Sequence, residues 1–206
     1  MTEARESYLT LGSPSRYEPE KIKGSRFIAC VSPARDEAEA KAFLEEIRAE
    51  YDDARHVCSA WRLGQDGDET RSSDDGEPSG SSGRPILLQI EGHGVTDAVV
   101  CVVRYFGGTK LGVGGLMRAY GGAAGQALDR ADIVSVDIKK ALRCVHAYGD
   151  SGAVQAVLSA HSLEPVDSDY AGDVSFTIRV GIRSVEEVTR ALRDATGARI
   201  RVEPIG

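Results

Sequence analysis

Apolar residues along the chain change spacing from segment to segment, and each spacing predicts an element. Residues 25–31 and 56–63 are short runs rich in Phe, Ile, Val, Cys and Trp and read as strands. Between them, Ala40, Phe43, Leu44, Ile47 and Tyr51 fall on one helical face, with charged residues on the other. Asp36 with Glu39 three residues on supplies a capping-box start. Residues 1–20 show little periodicity, carry Ser13-Pro14 and Glu18-Pro19, and read as an irregular lead-in. Residues 64–83 are rich in Gly, Ser and Asp and too long for an ordinary connection; such loops are functional or disordered. Pro85 can open a short helix over 86–90, which Gly92 and Gly94 would stop, with a strand as the alternative. Residues 96–106 read as a buried strand ended by Gly107-Gly108. A helix then runs from Gly114-Gly115 to about Arg130, so rich in Gly and Ala that it must pack closely on a sheet.

Composition shifts near Val136. The tail reads strand 138–148, helix 151–161, strands 164–170 and 174–182, helix 185–196 and strand 199–204. The order β-α-β-β-α-β is the ferredoxin-like pattern, a two-layer unit large enough to stand alone. The expectation is an α+β chain with a first domain over 1–136 and a ferredoxin-like second domain over 137–206.

The 206 residues are 41% hydrophobic and 28% charged, ordinary values for a globular chain. No apolar run approaches the ~20 residues that cross a bilayer, and the acidic N-terminus lacks the apolar core of a secretory signal. A cytoplasmic protein with no membrane partner is expected. Cys30, Cys58, Cys101 and Cys144 form no C-x-x-C pair and read as buried free thiols. The net charge of −7 argues against indiscriminate nucleic-acid binding, but it conceals a contrast. Asp66, Asp68, Glu69, Asp74, Asp75 and Glu77 cluster around one base, Arg71. No acid then occurs between Asp97 and Asp129, where Arg104, Lys110 and Arg118 fall.

Three groups of residues could carry chemistry. Asp74, Asp75 and Glu77, with Gly76 among them, could converge on a hard cation such as Mg²⁺; the same residues are also ordinary turn formers. Arg104 to Arg118 runs from strand through a glycine-rich loop into a helix. There Arg104, Lys110 and Arg118 with the backbone at Gly112, Gly114 and Gly115 could bind an anion, because a helix start exposes N–H groups and partial positive charge. A tight turn leading into a close-packed helix is the alternative. Neither a Walker nor a dinucleotide spacing is present. His56 and Cys58 share one face of a strand, but two ligands do not make a zinc site. His56 is either a pocket residue or a core histidine. Tyr105, Phe106 and Tyr120 could stack on bases, with core packing expected for at least two of them.

Several blocks together resemble the YigZ/IMPACT family: Ser25-Arg26-Phe27, Ala54 to Cys58, Ser73 to Gly80, Gly83-Arg84-Pro85, Val103 to Gly108, Gly112 to Leu116, and Ala119 to Gly122. The resemblance covers residues 22–130, and the tail is similar to the small C-terminal domain that accompanies this module in bacteria. It implies a ribosomal-protein-S5-domain-2-like first domain with helices on one face of its sheet. It implies a ferredoxin-like second domain similar to the last domain of translocating elongation factors. RNA, the ribosome or the translation machinery are the implied partners, reached through the basic loop. The alternative is a metal-assisted hydrolase, dipeptidase-like, using Asp74, Asp75, Glu77 and His56. Nothing in the sequence sets an oligomeric state.

Overall fold

A computed structural model describes residues 5–205. These residues form two compact units, one of residues 8–136 and one of residues 137–205 together with 5–7.

In chain order the first unit contains β1 (Ser7–Leu11), β2 (Ser15–Tyr17), β3 (Arg26–Pro33), α1 (Glu37–Glu50), β4 (His56–Leu63), β5 (Glu69–Ser73), α2 (Gly83–Gly92), β6 (Ala98–Tyr105), α3 (Val113–Leu128) and β7 (Ile133–Asp137). Five strands make one sheet in the order β2-β3-β6-β4-β5, and β1 pairs with β7 in a ribbon. The central strand, β6, is flanked by β3 and β4, both antiparallel to it. Val100 and Val102 point into a core with Phe27, Ile86, Ile90, Tyr120 and the small residues of α3. Val99, Cys101 and Val103 point the other way, against Leu44 and Ile47 of α1. Helices therefore cover both faces of the sheet rather than one. That is why β6 is an unbroken apolar run rather than an alternating one.

Half of the expected capping box of α1 forms, and the Glu39 carboxylate reaches one residue beyond the N-cap Asp36. Asp36 accepts the Glu39 N–H at 2.8 Å, and the Glu39 carboxylate accepts the Arg35 N–H at 2.8 Å. Three sequence expectations change. The lead-in contains β1, whose partner β7 lies far along the chain, and β2, a three-residue polar edge strand on β3 too short to show a period. The 64–83 stretch is not one loop, because β5 pairs with β4 from Ser59 to Leu63 as an exposed edge strand. Helix α2 starts two residues before Pro85.

The second unit contains β8 (Lys139–His146), α4 (Ser151–Ala160), β9 (Val166–Asp169), β10 (Val174–Gly181), α5 (Val185–Ala195) and β11 (Arg201–Ile205). Its antiparallel sheet has the order β11-β8-β10-β9. Leu142, Cys144, Phe176, Ile178 and Val180 on one face pack with Val154, Leu158, Val188 and Leu192 of the two helices. This is the ferredoxin-like arrangement that the strand and helix order implied.

Candidate functional site

A cleft of 460 Å³ opens where β4 begins and β6 ends. Antiparallel pairing sets His56 opposite Arg104. Beyond β6, Gly107 passes so close to Gly24 and Ser25 that a Cβ on it would lie 1.9 Å from the Gly24 carbonyl carbon. The chain reaches α3 through Gly112, at φ +72° and ψ 164°, a region open almost only to glycine. Helix α3 has no side-chain cap, and its first hydrogen bond runs from the Leu116 N–H to the Gly112 carbonyl at 2.9 Å. The N–H groups of Val113, Gly114 and Gly115 therefore have no acceptor among the described residues. Lys110, Gly112 and Val113 line this side of the cleft. Arg55 and His56 line it too, with Glu77 and Arg104.

The acidic segment packs against the strands, but its three carboxylates diverge. Asp74 sits at the start of α2. One of its oxygens accepts the Ser82 and Gly83 N–H groups at 3.0 and 2.8 Å and the Ser82 hydroxyl at 2.7 Å. The other accepts the Gly80 N–H at 2.7 Å. Burial alone would raise the Asp74 pKa; the hydrogen bonds from Gly80, Gly83 and Ser82 outweigh it and hold the carboxyl below its usual value. Asp75, at φ +43°, accepts the Val57 N–H at 2.7 Å and pairs with Arg48 at 2.9 Å. Glu77 is buried and takes Arg104 at 2.5 Å and the Tyr120 hydroxyl at 2.7 Å on one oxygen.

The expectation that these three converge on a cation is therefore corrected, since each is spent on protein donors. Among the described residues no group of three His, Cys, Asp or Glu is placed to hold a metal. The residues present do not fit Mg²⁺.

The basic trio also separates. Arg104 is buried, neutralised by Glu77, and lies over the Phe27 and Phe106 rings at 5.8 and 5.6 Å. Arg118 lines a different cleft, beside Tyr17, Glu20 and Gln126. Lys110 alone of the three lines the first cleft as an exposed cation with no ion pair among the described residues. Sequence reasoning missed its counterpart Arg55, exposed and likewise without an ion pair. Its position next to His56 was the available signal. Of the three aromatics, Tyr120 is fully buried against Phe27. Tyr105 packs beside the α1 core, while Phe106 is 57% exposed at the cleft.

His56 is half-buried, and its Nδ1 lies 2.7 Å from the Asp75 carbonyl. A carbonyl only accepts, so Nδ1 carries the proton in the neutral ring. Nε2 is then an acceptor with no partner among the described residues. Cys58, two residues on, donates to the Asp74 carbonyl at 3.1 Å. Burial pushes its thiol up to about 12, so it is a packing residue and not a nucleophile.

Residues 23–128 match the Impact N-terminal domain, and residues 144–199 match a domain of unknown function, DUF1949. The chain is 38% identical to the IMPACT family member YigZ of Escherichia coli, over 85% of this chain and 87% of that one. It is 42% identical to an IMPACT family member of Thermus thermophilus, over 88% and 99%. It is 35% identical to the Protein IMPACT homolog of Saccharomyces cerevisiae, over 46% and 38%. A crystal structure described as that of a hypothetical protein superposes with a TM-score of 0.83 at 35% identity, covering 98% of both chains.

Proposed function

This chain belongs to the IMPACT family, and from that premise we propose that it is a translation-linked RNA-binding or regulatory protein whose first unit grips RNA at the Lys110 cleft. The observation that carries this reading is the meeting, in one cleft, of two exposed cations without ion pairs, Arg55 and Lys110, with the exposed ring of Phe106. A basic groove that tracks phosphates beside an aromatic platform for bases is how single strands are bound without sequence preference. The uncapped start of α3 adds N–H donors and partial positive charge on the same side. The fold likenesses to ribosomal and elongation-factor domains that the family resemblance implies favour the same direction. The test is binding of a labelled 12-nucleotide single-stranded RNA by the full chain and by an Arg55→Ala, Lys110→Ala variant. The reading requires the variant to bind more weakly.

A second reading rests on His56. Its fixed tautomer and unpartnered Nε2 suit a general base, which would make the cleft a hydrolase site. The spent carboxylates make this a metal-independent enzyme rather than a metal-assisted one. Hydrolysis of dipeptides or phosphomonoesters that disappears in His56→Gln, at unchanged RNA affinity, would favour it.

A further inference from the structure

We infer that the open face of the second unit's sheet binds the phosphate backbone of a nucleic-acid duplex. This surface is separate from the Lys110 cleft, and the inference does not rest on that reading.

Helices α4 and α5 cover only the face that carries Leu142, Cys144, Phe176 and Ile178. Strand alternation turns Lys139 and Arg143 of β8, Arg179 of β10 and Arg201 of β11 to the other face. All four are exposed. The register places them on successive rows. Arg201 is opposite Val145, Arg143 is opposite Thr177 and Glu203, Arg179 is opposite Ala141, and Lys139 is opposite Gly181. Rows on one face are two residues apart, about 7 Å, and neighbouring strands are about 4.8 Å apart. The four cations therefore zigzag along β8 in strides of about 8 Å, from β11 to β8 to β10 and back to β8.

Two acids share the face: Glu203, and Asp169 opposite Ser175. Asp169 accepts the Ala171 N–H at 3.1 Å. Among the described residues none of the four cations is in an ion pair. A net positive row in a chain of net charge −7 is a local feature and not the average.

The chemistry of the face selects its occupant. A regular row of like charges matches a polymer of regularly spaced anions. The paired positions of the face hold no aromatic ring on which an unpaired base could stack, so the contacts fall on backbone phosphates and carry no sequence information. Val166, opposite Thr177 on the edge strand β9, and Ile205 on β11 are its exposed large apolar side chains, on opposite edges of the sheet and too little to enter a lipid surface.

The test is a salt titration of the full chain with a 16-base-pair RNA duplex and its DNA counterpart. The Arg143→Ala, Arg179→Ala, Arg201→Ala variant should bind duplex about 100-fold more weakly at 100 mM salt. Its log–log salt slope should be shallower by about 2.7, near 0.9 per lost phosphate contact. The corresponding triple lysine variant should keep most of the affinity. If the alanine variant fails to fold, the triple glutamine variant gives the same reading. Unchanged duplex affinity in a folded variant would overturn the proposal. So would a native chain that ignores duplexes at 50 mM salt, or one that binds phosphatidylglycerol vesicles in their place. Arg55→Ala, Lys110→Ala serves as the counter-test. It should weaken single-strand binding more than duplex binding, and the sheet variant should do the reverse; equal losses from both variants on both probes would overturn the proposal, so the two readings fail separately.

Discussion

Glu77 and Arg104 meet as an ion pair at 2.5 Å with side chains only 4% and 8% exposed. The pair joins the acidic segment to the end of β6, and Tyr120 of α3 adds its hydroxyl to the same carboxylate oxygen. It fastens the cleft-lining Glu77 to both the sheet and α3. It also explains why Arg104 does not act as a free anion-binding base.

Removing one partner of such a pair leaves the other charge buried and alone, at a cost of about 3–5 kcal/mol. Glu77→Ala should therefore lower the urea midpoint sharply at an unchanged m-value. Glu77→Leu with Arg104→Met should recover much of the loss, because that double variant buries no charge. A Glu77→Ala midpoint equal to that of the native chain would contradict the network.

Asp74 predicts a pH dependence. Its folded pKa is depressed, so its stabilisation is present above the ordinary value of 3.8 and is lost as pH falls through the lower folded value. The native chain should lose stability in that acidic window, and Asp74→Asn should lose less of it. At pH 7 Asp74→Ala should be destabilised by about 1–3 kcal/mol, because donors at the start of α2 lose their acceptor. Denaturation curves for native and Asp74→Asn proteins at pH 7 and pH 3, with Asp74→Ala at pH 7, measure both effects.

Much of the fold was legible because its signals are local. The apolar run of β6, the helical spacing and capping box of α1, and the alternating tail of the second unit each stand in consecutive residues. What was missed lacks an apolar pattern of its own or depends on a partner elsewhere in the chain. β2 and β5 are short polar edge strands whose hydrogen bonds come from β3 and β4. The buried strand read over 96–106 includes Arg104, but its neutralisation is invisible locally, because its counter-charge Glu77 is 27 residues away. The acidic segment reads in sequence as either an ordinary turn or a cation site. In the fold each of its carboxylates meets a different backbone or side-chain donor.

Gly107 and Gly108 should answer the same substitution differently. A Cβ on Gly107 would overlap the backbone at Gly24 and Ser25, whereas one on Gly108 meets nothing within 4 Å. Gly107→Ala should be severely destabilised or insoluble. Gly108→Ala should lose only about 1 kcal/mol, from its positive φ. Melting temperatures of the two purified variants make the comparison.

Phe106 should matter for single-stranded RNA and little for stability. If a base stacks on its exposed ring, Phe106→Ala should cost about 1–3 kcal/mol of binding, and Phe106→Trp should keep the affinity. Fluorescence anisotropy with a 12-nucleotide RNA, alongside thermal melts of each variant, separates the two effects.

The account rests most heavily on Arg55 and Lys110 as paired phosphate contacts at one cleft. The direct measurement is the affinity of the full chain for a 12-nucleotide single-stranded RNA as KCl is raised from 50 to 300 mM. Native protein is compared with folded Arg55→Ala, Lys110→Ala protein. Each phosphate contact on a single strand contributes about 0.7 to the log–log slope. The variant should bind about tenfold or more weakly at 100 mM KCl, with a slope shallower by about 1.4. Equal affinities and equal slopes would contradict the assignment of the cleft as an RNA site.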